Sequence, residues 1–209
     1  MVRRFKPLVF LACLLPLARL GWKAYMGLLG ANPIEVITHS TGDWTLIFLL
    51  ITLAVTPLRK LTGQLWLIRY RRMFGLFAFF YVSLHFVTYI WLDKSFDVHE
   101  MLADIAKRKF ITVGFTGFVL LIPLALTSTK KSIRRLGGKR WLLLHRLIYV
   151  SAVCGVIHYL WLVKADIREP LRYGLVLTVL LGYRLVNWAL PRLTTQKMPS
   201  LPARTAPET

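Results

Sequence analysis

The sequence predicts an all-α fold, a polytopic membrane helix bundle with six transmembrane helices. Three observations carry that prediction. Hydrophobic residues make up 56% of the 209, and mean hydropathy is +0.55, where a soluble domain averages nearer ~45–50% apolar. The apolar residues gather in runs long enough to cross a hydrocarbon core of about 30 Å. The connecting loops alternate between strongly basic and charge-balanced.

The runs place spans at Pro7–Leu29, Trp44–Leu58, Met73–Leu92, Phe110–Thr127, Trp141–Val163 and Leu171–Leu190. The first begins MVRRFKPLVFLACLLPLA, a basic head followed by an apolar run. It resembles a signal peptide, but no A-x-A cleavage site follows, so an uncleaved first span is expected. The second is short. Arg19 and Lys23 lie in the second half of the first span. They either snorkel outward or meet an anion, and snorkelling is the simpler reading.

The formal net charge is +19. A basic chain binds nucleic acid or sits in a membrane with basic cytoplasmic loops, and charge placement separates the two. Arg3, Arg4 and Lys6 precede the first span. Arg59, Lys60, Arg69, Arg71 and Arg72 fill the next basic segment, and Lys130, Lys131, Arg134, Arg135, Lys139 and Arg140 the third. In the alternate loops, Gly30–Asp43 has no Lys or Arg, while Asp93–Lys109 and Lys164–Pro170 balance acids against bases. This is the positive-inside pattern, with both termini cytoplasmic. Little charge is left for nucleic acid, and no nucleic-acid partner is expected.

Residues 1–190 form one membrane domain. Residues 191–209, PRLTTQKMPSLPARTAPET, are rich in Pro and Thr and read as a disordered cytoplasmic tail. No GxGxxG or GxxxxGK[ST] occurs, so any electrons moved here are received from something else. Cys13 and Cys154 stand outside any CxxC and read as small core hydrophobes.

Chemistry enters with the histidines. Ionisable residues inside spans are functional candidates by default. His39 and His99 fall in outer loops and read as solvated; His85, His145 and His158 fall in spans. His85 lies about 10 Å, and His158 about 8 Å, from the outer ends of the third and fifth spans, counting 1.5 Å per residue. Two imidazoles at one depth on two helices can grip a flat macrocycle from both faces, as axial ligands of haem iron do. A bis-histidine iron has no open site, which favours electron transfer. His145 lies about 20 Å deeper along the helix. A second such pair would need a histidine near position 71 or 72 of the third span, where Arg71 and Arg72 stand. Arginine binds phosphate and carboxylate instead. On a straight helix His145 and His158 also point about 140° apart, with Gly155 the one place to ease a bend. An inner haem on His145, or an inner flavin with its phosphate on the basic loops, both use that space.

Three segments carry a resemblance: RRMFGLFAFFYVSLHFVTY, LALTSTKKSIRRLGGKRWLLLHRLIYV and IHYLWLV. They resemble the haem-binding membrane subunit of the bacterial periplasmic protein-methionine-sulfoxide reductase system, of the ferric-reductase-like transmembrane family. The likeness covers about Gly30 (GANPIEVITHSTG) to Leu190. It implies b-type haem (heme b) and FMN in a bacterial inner-membrane protein. It also implies electron flow from the quinone pool to a periplasmic molybdopterin-containing catalytic subunit. The family's membrane histidines map onto His85, His145 and His158, and the missing inner partner fits one haem plus flavin. Arg71, Arg72 and His145 are assigned to the flavin from charge and depth. Two other readings compete: a stand-alone ferric or oxygen reductase fed by a soluble flavin reductase, and a haem-free transporter or assembly protein. The transporter reading is disfavoured because no Asp or Glu falls well inside a predicted span.

Overall fold

A computed structural model describes residues 2–163 and 165–195, with side chains from 5 to 189 except Lys164. Among the described residues nine α-helices follow in order: α1 (Val2–Tyr25), α2 (Pro33–Thr62), α3 (Ile68–Thr88), α4 (Val98–Lys107), α5 (Lys109–Leu126), α6 (Lys130–Leu136), α7 (Gly138–Leu144), α8 (Leu147–Leu162) and α9 (Arg168–Thr195). No strand occurs among the described residues. Five segments are long and apolar enough to cross a membrane: Phe5–Tyr25, Pro33–Thr62, Leu65–Asp93, Lys109–Leu126 and Gly138–Leu162. The sixth expected span lies within α9. At 28 residues it is long enough, but Arg172, Arg184 and Asn187 make it more polar than the others. Of the expected tail, residues 191–195 continue α9, and 196–209 lie outside the described residues.

Two helix pairs make the core: α2 packs along α3, and α5 along α8. Leu49, Leu53, Ala78 and Tyr81 are fully buried between them. The stacked rings of Phe48, Phe77 and Tyr81 fill the α2–α3 seam. Outward-facing Leu8, Leu15, Leu175 and Val179 are exposed, as lipid-facing side chains are in a bundle solvated by hydrocarbon.

The second helix is twice the expected length. Asn32 caps it by accepting from the Glu35 amide at 3.3 Å, and Pro33 occupies its first turn, where a missing N–H costs nothing. Most of the expected loop Gly30–Asp43 is therefore helix. His39 is half-buried on it rather than free in solvent, and Asp43 sits well inside the span. His99 is exposed, but on α4. The fifth span breaks at His145–Arg146, between α7 and α8. The straight-helix estimate of the angle between His145 and His158 therefore does not apply. Gly155 is not a bend either: a Cβ there would meet Leu46 at 2.8 Å, so its role is close packing.

The first helix is held by apolar packing of Val9, Cys13 and Leu17 and by one hydroxyl. Pro16 removes a donor and opens the helix locally. Buried Tyr81 reaches into that turn, donating to the Cys13 carbonyl at 2.9 Å and accepting from the Leu17 amide at 3.3 Å. At the opposite edge, α4 folds back over the end of α3 through Lys94, which is 6% exposed. Its ammonium meets Glu100 at 2.5 Å and Asp104 at 2.7 Å, and Arg108 adds a contact to Asp104 at 3.3 Å. Lys94 holds Asp104 below the ordinary carboxylate range, and its hydrogen bonds to Asp104 and Glu100 push the Lys94 ammonium above its ordinary value.

Tyr81→Phe leaves the opened turn of α1 unsatisfied and is expected to cost about 1–3 kcal/mol. A lowered unfolding midpoint in detergent reads this directly, and an unchanged midpoint would show the bridge to be idle. The Lys94 cluster has a defined pH window. The lowered Asp104 pKa gives stability present above its unfolded value of 3.8 and lost as pH falls through the lower folded value. The raised Lys94 pKa gives stability present below 10.5 and lost only at higher pH. Amide exchange in α4 is therefore expected to stay slow and flat across neutral pH, and Lys94→Met to accelerate it at pH 7. Equal exchange in both proteins would count against the cluster as the clasp.

Candidate functional site

A cavity of about 480 Å³ opens between α2, α3, α5 and α8 at the α4 end of the bundle. Its walls are apolar, with Leu46, Leu49, Val82, Phe86, Phe115 and Leu121, and two imidazoles project among them: His85 from α3 and His158 from α8. Their ring centroids stand 6.1 Å apart with planes at 82°.

Each ring is held by the same device. His85 Nδ1 lies 2.9 Å from the Thr38 carbonyl of α2, and His158 Nδ1 lies 2.7 Å from the Phe110 carbonyl of α5. A carbonyl only accepts, so in both rings Nδ1 carries the proton and Nε2 keeps its lone pair. Neither Nε2 has a hydrogen-bond partner among the described residues. Metal-ligating histidines are oriented in this way.

Glycine makes the approach possible on both sides, four residues after each accepting carbonyl. A Cβ on Gly114 would lie 2.5 Å from His158 Nδ1, and one on Gly42 would lie 3.3 Å from the His85 ring. The α2–α3 and α5–α8 pairs thus mirror one another in chemistry: a carbonyl, a glycine one turn on, and an imidazole from the partner helix. Thr41 adds a longer contact of 3.5 Å to His85 Nδ1. Ser151 ties α8 to α5 by donating to the Gly117 carbonyl at 2.8 Å. Thr38, Gly42, Phe110 and Gly114 were not singled out from the sequence. The available signal was a glycine within each helix that faces a histidine-bearing one.

Among the described residues no group of three or more His, Cys, Asp or Glu could hold a bare metal ion. Two opposed imidazoles suit a metal whose remaining bonds come from a planar macrocycle. Metal–imidazole bonds of about 2 Å on each side, plus the half-width of each ring, fit the observed spacing. The cavity volume and apolar walls also suit a buried prosthetic group. Asn32, Glu35, His39, Asp43, Asp93 and Arg108 add polar and charged groups to the lining.

The other expected residues lie at the basic end. His145 ends α7, its ring stacked on Trp141 at 3.9 Å and its Nδ1 3.1 Å from the Trp141 carbonyl. Trp141 in turn donates to the Thr127 carbonyl at 3.0 Å, which joins the TS and W-x-x-L-H segments of the sequence. The Nε2 of His145 is buried without a partner. Arg71 is half-buried on α3 and within electrostatic reach of His145, whereas Arg72 is exposed. His145 is thus separated from the His85–His158 pair and grouped with Arg71 alone.

A family model described as the ferric reductase like transmembrane component matches residues 41–156, which include His85 and His145 and end two residues before His158. A Herminiimonas arsenicoxydans protein is 58% identical, over 88% of this chain and 85% of its own length. A Rhodospirillum rubrum protein is 55% identical over 92% of each chain. A Bordetella pertussis protein is 52% identical over 90% of this chain and 91% of its own. All three carry the name protein-methionine-sulfoxide reductase heme-binding subunit MsrQ. This chain therefore belongs to the ferric-reductase-like transmembrane family and, within it, to the group of protein-methionine-sulfoxide reductase heme-binding subunits.

Proposed function

We propose that this protein is an inner-membrane electron-transfer subunit that holds b-type haem between His85 and His158 at its outer end and FMN at its inner end. The observation that carries the reading is the pair of facing imidazoles 6.1 Å apart, each with Nδ1–H committed to a backbone carbonyl. When bound, haem supplies one-electron transfer, and FMN links two-electron donors to one-electron steps.

The chain's own residues set the rest. His85 and His158 would hold the haem iron from both sides and so leave it no site for oxygen. The carbonyls of Thr38 and Phe110 fix the ring orientations and raise the donor strength of each Nε2. Phe86, Phe115 and Leu46 exclude water. Arg71 and Arg72 offer cations suited to the FMN phosphate, and His145 keeps an unpartnered ring nitrogen at the same end. Electrons enter there from quinol or a soluble flavin reductase. They leave at the α4 end to a periplasmic molybdopterin-containing methionine sulfoxide reductase catalytic subunit. The basic loops and both termini face the cytoplasm, as the alternation of charge supports. Sulfoxide chemistry belongs to the partner.

His85→Ala or His158→Ala is expected to remove most haem, read as loss of the low-spin Soret and α bands in purified protein. Retention of those bands in both variants would show that another pair holds the iron. His145→Ala is expected to lower FMN content while leaving the bands in place. If it strips haem and spares FMN, the division of labour between the two ends is reversed. The glycines give a graded test. Gly114→Ala, with its 2.5 Å conflict, is expected to reduce haem content nearly as far as His158→Ala. Gly42→Ala, with 3.3 Å to yield, should reduce it mildly. Equal haem in the Gly114 variant and the parent protein would refute the claim that this glycine admits the ring.

A further inference from the structure

Helix α4 is strongly amphipathic, and the bundle covers only part of its apolar surface. At about 100° per residue, three sides follow one another around it. Met101, Asp104 and Ile105 face the bundle and are half-buried or buried. Val98, Leu102 and Ala106, spaced four apart, form the next side and are exposed, Leu102 by 63%. His99, Glu100 and Lys107 form the third side, which is exposed and polar. A helix packed on a protein and otherwise surrounded by water needs one apolar side, and α4 has a second beside it.

The tethers of α4 fix where it lies. The span before it ends at Asp93, and the span after it begins at Lys109. Lys94–Asp97 alone lead into the helix, and Arg108 alone leads out of it. Thr112 of α5 donates to the Ile105 carbonyl at 2.5 Å, which ties the end of α4 to the first turn of α5. The helix is therefore held where two spans leave the hydrocarbon, and its own diameter of about 10 Å keeps its lower side at that boundary.

The turn into α4 points the same way. Ser95 and Phe96 both have left-handed backbone, with φ of 47° and 64°, a conformation costly for any residue but glycine and most so for a bulky one. The Phe96 amide donates to the Ile90 carbonyl at 2.9 Å, and the Asp97 amide to the Lys94 carbonyl at 2.8 Å, which hold the turn. Yet the turn leaves the Phe96 ring uncovered by the chain. Trp91, at the end of the preceding span, is exposed as well, and so is Val87 one turn before it. Tryptophan at a span end sits at headgroup level. The uncovered surface of α4 thus continues the lipid-facing surface of the span that leads to it.

We propose that α4 is seated in the bilayer interface, with Val98, Leu102 and Ala106, flanked by Phe96 and Trp91, in the boundary between phospholipid headgroups and acyl chains. His99, Glu100 and Lys107 face water. The occupant of the apolar side is phospholipid, not a second protein. Ile105 of α4 and the adjoining Arg108 line the cavity that holds His85 and His158, so the leaflet steadies one wall of that cavity. The seating is independent of what fills the cavity.

Spin labels on introduced cysteines read the seating in full-length protein, reconstituted into liposomes of phosphatidylethanolamine and phosphatidylglycerol, with Cys13→Ala and Cys154→Ala removing the native thiols. Collisions with oxygen, which dissolves among acyl chains, are compared with collisions with a water-soluble nickel chelate. Labels at Val98→Cys, Leu102→Cys and Ala106→Cys are expected to favour oxygen and to lie about 5–10 Å below the headgroup boundary. Labels at His99→Cys and Lys107→Cys are expected to favour nickel. Preference for nickel at every position would overturn the proposal, because the apolar side would then face water. Low access to both reagents at Val98→Cys and Leu102→Cys would overturn it too, by assigning that side to a second copy or another protein. A second measurement needs no substitution. Phospholipid with a photoreactive diazirine in its upper acyl chain is expected to form adducts within residues 96–106 of the unaltered protein, located by mass spectrometry. Adducts on the spans with none in α4 would overturn the seating.

Discussion

The bond from a ring Nδ1–H to a backbone carbonyl is the constraint on which this bundle turns. A histidine in hydrocarbon can hydrogen-bond through either nitrogen, and only one choice leaves the distal nitrogen free to face a partner. The Thr38 and Phe110 carbonyls make that choice for His85 and His158. Each already belongs to a helix, where its second lone pair is available to a side chain that comes close enough. The approach requires a gap in the helix surface, and Gly42 and Gly114 open it. Much of the packing keeps these registers. The threonine contacts of α2 with α3 and the Ser151 bond between α8 and α5 hold each pair from sliding. A slip of one residue along either pair would point the imidazole at a side chain instead of a carbonyl.

The remaining helices support the two pairs at different costs. Helix α1 is held by apolar packing and by Tyr81, whose hydroxyl enters the turn that Pro16 opens. Helix α4 is held by charge, through a buried lysine with two close carboxylates. That choice suits its place. An ion cluster needs polar surroundings to be affordable, and α4 lies beyond the end of the candidate span Leu65–Asp93. Arg108 belongs both to this cluster and to the rim of the cavity. The clasp and the mouth of the site are therefore one structure.

Much of this was legible in the sequence. Long apolar runs marked the membrane helices, because a bilayer enforces helical hydrogen bonding and leaves composition as the main signal. His85 and His158 were matched by depth alone, and the fold brings their ring centroids to 6.1 Å. The failures were local. The start of α2 was read as loop because its first turns are polar, although the Asn32–Pro33 cap was visible in the letters. Asp43 and His39 were misplaced with it. The break at His145 was missed because nothing in LHRL announces it. It depends on Trp141, which stacks on the ring and ties α7 to the end of α5. Gly155 was read as a possible bend where it serves close packing, and Gly42 and Gly114 were not singled out at all. A glycine's role depends on what approaches it from another helix, which spacing along one helix does not encode.

Polarity in α9 follows from the same reasoning. Arg184 is among the residues that make α9 more polar than the five spans, and an arginine within a bundle is retained only if its donors are satisfied. Part of that satisfaction is built in α2, where Pro57 leaves the Leu53 carbonyl without its helical partner. A neutral donor such as glutamine or tryptophan could fill that vacancy without bringing charge into an apolar setting. The Tyr149 ring lies beneath the guanidinium and its hydroxyl accepts from the other Nη, so one arginine of α9 ties that helix to both α2 and α8.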